Sequence, residues 1–264
     1  MNINDINLKK VAVIVVILLV AVISFTVIAP IAADPDNHSH SIEQTDEKIS
    51  TVMTLSAGAA GTSATLSLLP GDMCTPIADQ LAELATYFMI ILSALYLEKF
   101  MISLSGYIAF SVLIPLACLI VCGAIAFEKK NWYNIAGKIA LLGIIFFIIV
   151  PASVKLSDMV YKTQADSVNN AVEEYNDLDI EGDSEGSVLN ELSTLTSDTL
   201  DKVSSFLSSL LESLAVMIVT SCIIPVLVFI FFLWIVKTIF TSNVLTIDTG
   251  MVEKLLDKIK KDEK

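Results

Sequence analysis

The sequence contains no arginine; all 16 of its cationic side chains are lysines. Bidentate recognition of phosphate depends on the guanidinium fork, which lysine lacks. With 29 carboxylates the net charge is −13. Nucleic acid is therefore excluded as a partner. Histidine is nearly as scarce. His38 and His40 are the whole complement, and both lie outside the apolar runs. Histidine general acid–base chemistry is thus excluded from a membrane-embedded site. The four cysteines, Cys74, Cys118, Cys122 and Cys222, do not form a disulfide framework, because three fall in apolar runs. Those three read as small buried residues. The paired aspartates, glycine-set serine or histidine-bound zinc of an intramembrane protease are also missing, so no enzyme is expected.

What is abundant is apolar surface. Hydrophobic residues make up 55% of the chain, and the mean hydropathy is +0.74. Soluble domains hold about 45–50% apolar residues, so the excess is read as lipid-facing. Four runs are long enough for a hydrocarbon core of about 30 Å, which takes roughly 20 residues. They are residues 11–33, 104–127, 135–153 and 214–240. The expected fold class is all-α: a polytopic membrane protein of four transmembrane helices, extended outside the bilayer as helical hairpins.

Lysine placement orients the chain. Residues 1–10, the turn 128–134 and the tail 241–264, with the adjoining span ends, hold eleven lysines against seven acids, a balance of +4. The segments 34–103 and 154–213 hold five lysines against 22 acids, a balance of −17. Both termini are expected in the cytoplasm of a plasma-membrane protein, with the acidic segments outside. The first run resembles a signal peptide, but it is longer than the usual apolar region of 7–15 residues, and Ile31 spoils an A-x-A site. It is read as a retained span. Leu81–Phe100 is apolar enough for a fifth crossing, but the charge balance rejects one. It is expected to form a helix begun at Thr75 and Pro76 and running toward the second span. Gly106 is the expected bend.

Two spans share a motif 110 residues apart: Ser111-Val-Leu-Ile-Pro115 and Ser221-Cys-Ile-Ile-Pro225. Ser103 then matches Ser213, and Ile108 matches Ile218. Val27-Ile28-Ala29-Pro30 similarly matches Ile148-Ile149-Val150-Pro151. A two-fold internal repeat of a two-span unit is expected, in parallel orientation. Each proline removes one donor from the helix, and the carbonyls expected to be stranded are those of Ser111 and Ser221. Ser111, Pro115, Ser221 and Pro225 are read as a packing joint or hinge. The sharper reading is a polar girdle lining a pore. No charged residue falls in the middle of an expected span, which weighs against an ion path.

Outside the spans, His38 and His40 stand two apart in Asp34-Pro-Asp-Asn-His-Ser-His. In an extended chain they make a weak metal pair, although a solvated linker is the plainer reading. Ile42–Leu69 reads as a helix whose small-residue stretch, Ser56–Thr65, allows close backbone approach. Asp177, Asp179, Glu181 and Asp183 match the first half of a calcium loop, with Gly182 at the turn. The closing Glu is missing and Val188 stands there, so a solvated acidic turn is the default and weak Ca2+ binding the alternative. Leu156, Val160, Val168, Val172 and Tyr175 mark one expected helix face; Val188, Leu192, Leu195, Val203, Leu207, Leu210 and Leu214 mark another. The tail from Val252 to Ile259 reads as an amphipathic helix on the inner leaflet. The expected role is assembly with a second copy or another membrane protein; the alternative is an oligomeric cation pore.

Overall fold

The computed structural model describes residues 3–68, 74–127, 130–177 and 197–241. All of its elements are helical. In chain order they are α1 (Ile3–Ile23), a π segment (Ser24–Ile28), α2 (Ala29–Ala33) and a 3-10 turn (Pro35–His38). Next come α3 (Ser39–Ser67), α4 (Thr75–Ile108), a second π segment (Ala109–Leu113) and α5 (Ile114–Phe127). Then follow α6 (Lys130–Thr163), α7 (Ala165–Asp177), α8 (Ser197–Ile218), a third π segment (Val219–Ile223) and α9 (Ile224–Thr241). Among the described residues four helical stretches are long and apolar enough to cross a membrane: Lys10–Ala33, Thr75–Phe127, Asn131–Thr163 and Asp201–Thr241. The described residues are all-helical, and the four apolar stretches are consistent with a multi-pass membrane protein.

The second stretch runs for 53 residues. Gly106 is not where it is interrupted. A Cβ there would lie 2.0 Å from the carbonyl oxygen of Ala32, so glycine lets two helix backbones touch. The interruption is the π segment three residues further on. The helix also starts earlier than its proline suggests. Cys74's carbonyl accepts the first bond, from Ala78 N, which makes Cys74 the cap and moves Pro76 one position into the first turn.

Each π segment has one cause. Residues 24–28, 109–113 and 219–223 all end two residues before a proline: Pro30, Pro115 and Pro225. Proline has no N–H, and its ring crowds the preceding turn. Widening that turn to i→i+5 bonding makes room. Pro151 behaves differently. It sits inside α6 with α-helical residues on both sides. The match between the first and third spans therefore does not extend to their local geometry.

The chain divides into two compact units. One draws its described residues from Met1–His38, Met101–Pro151 and Phe229–Lys264. Within it α1 packs along α5, and the first two π segments face each other. Gly143 packs against the second π segment, where a Cβ would meet Leu113. Many large apolar side chains of this unit remain exposed, among them Val11, Leu19, Val22, Leu119, Phe229 and Leu233. Such a surface suits hydrocarbon rather than water.

The other unit comprises Ser39–Phe100 and the described part of Ala152–Val228. Its core holds Val52, Leu55, Leu81, Phe88, Ile91, Leu95, Phe206, Leu210 and Met217. Helices α3 and α4 run antiparallel, with Ser56 donating to the Ala85 carbonyl and Ser63 to that of Ala78. Gly58 admits the Tyr175 ring, since a Cβ there would stand 2.8 Å from Tyr175 Cδ2. The small residues thus do bring neighbours close.

One expected face needs correction. Leu156 is 47% exposed, while Val154, Ser157, Asp158 and Tyr161 are buried. The helix is turned so that Ser153, Ser157 and Asp158 face inward. Val168, Val203, Leu210 and Leu214 are buried as their spacing implies.

Candidate functional site

Several buried polar side chains of the second unit, Gln44, Ser157 and Asp158 among them, gather around Lys48. On α3, Thr45, Lys48, Val52, Leu55 and Ala59 recur at spacings of three and four and form the inward stripe. Lys48 occupies a core position in that stripe and is 2% exposed. Its ammonium donates to Ser157 Oγ at 2.8 Å and lies 5.4 Å from the centroid of the Tyr161 ring, within cation–π range. Burial pushes the Lys48 ammonium down from its ordinary value, and the carboxylates of Glu98 and Asp158 oppose that shift.

Asp158 is 4% exposed. Its Oδ2 accepts from Gln44 Nε2 at 2.6 Å and from Lys162 Nζ, one turn on, at 2.8 Å. Glu98 on α4 leaves its buried Oε1 without a hydrogen-bond partner. Nearer the surface, Lys99 pairs with Asp46 at 2.6 Å.

Ser157 carries the arrangement onward. Its hydroxyl donates to the carbonyl of Thr220 at 2.6 Å. That carbonyl lies in the third π segment, where Ile224 N–H bonds to Val219 O. The next bond in the same register would run from residue 225 to Thr220, and residue 225 is proline. Ser157 supplies the donor that Pro225 lacks.

The first unit contains the same device. Ile114 N–H bonds to Ala109 O, so the following carbonyl, Phe110, faces Pro115. Ser24 Oγ donates to it at 2.8 Å. The stranded carbonyls are thus those of Phe110 and Thr220. They lie one residue before Ser111 and Ser221, because i→i+5 bonding shifts the register by one.

Ser111 is half-buried and Pro115 lies beside it in the first unit; Ser221 and Pro225 belong to the second. The buried Ser221 hydroxyl has no hydrogen-bond partner. His38 closes the 3-10 turn, bonding through Nε2 to Ala32 O at 2.8 Å and touching the Phe147 ring edge-on. His40 belongs to α3 in the other unit. The chain here is helical, not extended. Among the described residues no group of three or more His, Cys, Asp or Glu gathers to hold a metal ion. Asp177 ends α7, while Asp179, Glu181, Asp183, Val188, Leu192, Leu195 and the tail from Val252 to Ile259 lie outside the described residues.

Lys48 and Ser157 have the separation of a base and a nucleophile. Yet Ser157 is 0% exposed and its proton is committed to Thr220. In this arrangement the pair holds a helix. Sequence reasoning passed over Gln44, Lys48, Ser157 and Asp158 because polar residues were assigned to the solvent side. Their phase was the available signal, since Lys48 and Asp158 fall in step with apolar neighbours. No protein-family model, curated protein or solved structure matches this chain.

Proposed function

We propose that this chain is a non-enzymatic membrane assembly protein that meets a second copy or another membrane protein through its outer helices. The observation that carries this reading is a stripe on α4. Met89, Ile90, Tyr96, Leu97 and Phe100 recur at helical spacing and are exposed, Leu97 at 62% and Phe100 at 61%. They precede the 104–127 run expected to fill the bilayer. The complete 53-residue stretch would be about 80 Å long at 1.5 Å per residue, against a hydrocarbon core of about 30 Å. Lipid cannot cover all of it, and an apolar stripe left in water marks a contact surface. In this reading the acidic segments stand outside, and both termini are cytoplasmic.

The test is cross-linking through cysteine at position 97 in native membranes, with Cys74 replaced by serine. A cross-linked dimer, or an adduct to one recurrent partner, is expected. A protein that stays monomeric and uncross-linked would remove the proposal.

A two-unit repeat fits the same reading. Its support is the shared π geometry before Pro115 and Pro225; the serines that meet Phe110 and Thr220 are not at matching positions. Pro151, without a π segment, is where the halves differ. The second functional reading is a cation path, favoured by the buried and unpartnered Ser221 hydroxyl beside Pro225. Absence of cation flux through reconstituted liposomes would discard it.

A further inference from the structure

The kinks before Pro115 and Pro225 are each satisfied by a serine, but they differ in what stands behind it. Ser24 acts on Phe110 with no lysine bonded to its oxygen in the described contacts. Behind Ser157 stands the buried Lys48 ammonium. We propose that Lys48 is a protonation-dependent latch on the kink before Pro225, and that the kink before Pro115 is its fixed counterpart.

The chemistry follows from donor and acceptor counts. An ammonium has three N–H donors and no lone pair. While Lys48 is charged it can only donate to Ser157 Oγ, so the serine proton must point elsewhere, and Thr220 O receives it. A neutral amine has a lone pair. It can accept the serine proton, and Thr220 O then loses the only donor that replaces Pro225. One proton leaving Nζ thereby turns one hydroxyl and strands one carbonyl.

The groups facing Lys48 are Glu98 from α4, Asp158, Tyr161 and Lys162 from α6, and Glu47 from its own helix. Thr220 faces it through Ser157 from the third π segment. Burial favours the neutral amine, while Glu98, Asp158 and Glu47 favour the ammonium and Lys162 opposes it. The latch is therefore closed while Nζ holds its proton and opens as pH rises through a value below that of a free lysine. Loss of charge at Glu98 or Asp158 lowers that value further.

The experiment is amide hydrogen exchange on the full-length protein in lipid nanodiscs across a pH series, corrected for intrinsic exchange rates. Residues 109–113 serve as the internal reference for residues 219–223. In the wild type, protection at 219–223 should fall about tenfold with rising pH, a loss comparable to one hydrogen bond, while 109–113 stays constant. Lys48→Met should abolish the pH dependence, and Ser157→Ala should hold 219–223 at low protection at every pH. If 219–223 and 109–113 change in parallel in the wild type, the latch is refuted. That comparison requires no variant to fold. A Lys48→Met protein that keeps the wild-type pH profile would refute it equally.

Discussion

Ser157 gives its hydroxyl proton to the carbonyl of Thr220 at 2.6 Å, and that carbonyl is the one Pro225 leaves without a main-chain donor. The bond therefore repairs a helix from outside it. A buried acceptor stranded without a partner costs about 1–3 kcal/mol. Ser157→Ala should destabilise the protein by that amount in an unfolding titration in mixed micelles, and Ser157→Thr should recover most of it. Ser24→Ala should have a similar effect through Phe110. The two losses should add, because the sites share no partner.

Glycines supply a sharper contrast. At Gly106 an added methyl would lie 2.0 Å from Ala32 O, and backbone cannot yield as a side chain can. Gly106→Ala should cost about 1–3 kcal/mol or more, as overpacking does. Gly61, within α3, has nothing within 4 Å of a built Cβ. Gly61→Ala should stabilise by up to about 1 kcal/mol through helix propensity. Thermal melts of the two variants in one detergent should move in opposite directions.

Two lysines of the second unit should differ in weight. Lys99 makes an exposed pair with Asp46, and such pairs contribute about 0–1 kcal/mol. Lys48 is buried beside Ser157, Glu98 and Asp158. Removing one member of a buried charged group costs about 3–5 kcal/mol. Lys99→Met should be nearly silent, and Lys48→Met should be strongly destabilising, in the same unfolding titration.

The exposed stripe on α4 should respond to charge. Leu97→Lys leaves the core of the unit untouched, since Leu95 and Ile91 are the buried residues of that stretch. It should reduce cross-linking and oligomer size on native gels while the unfolding midpoint stays within about 0.5 kcal/mol of wild type, as surface changes usually do.

The four crossing stretches were legible because lipid demands long apolar runs and little else resembles them. The prolines were legible as kinks too, but their consequence was misplaced by one residue. An α-helical count strands Ser111 and Ser221, whereas the π turn strands Phe110 and Thr220. Nothing local in a sequence chooses between the two ladders. The serines that answer those carbonyls lie 86 and 63 positions away, so pairing them requires the tertiary fold. Lys48, Gln44 and Asp158 were missed for a related reason. Hydrophobic periodicity assigns a charged residue to water, and only the three-and-four phase that Lys48 shares with Val52 and Leu55 argues otherwise. Leu156 was misjudged by the same rule, because its apolar side chain gave way to inward-facing Ser157 and Asp158.

The π turns also bear on how this chain tolerates changes in length. Deleting a residue from an ordinary α-helix rotates everything beyond it by about 100° and drags the far half out of phase with its neighbours. A π turn already contains one residue more than the helical phase needs. Deleting a single position within 24–28, 109–113 or 219–223 would absorb that surplus, and the flanks on either side would keep their facing. At these three places, and nowhere else along the described spans, the chain carries a spare letter.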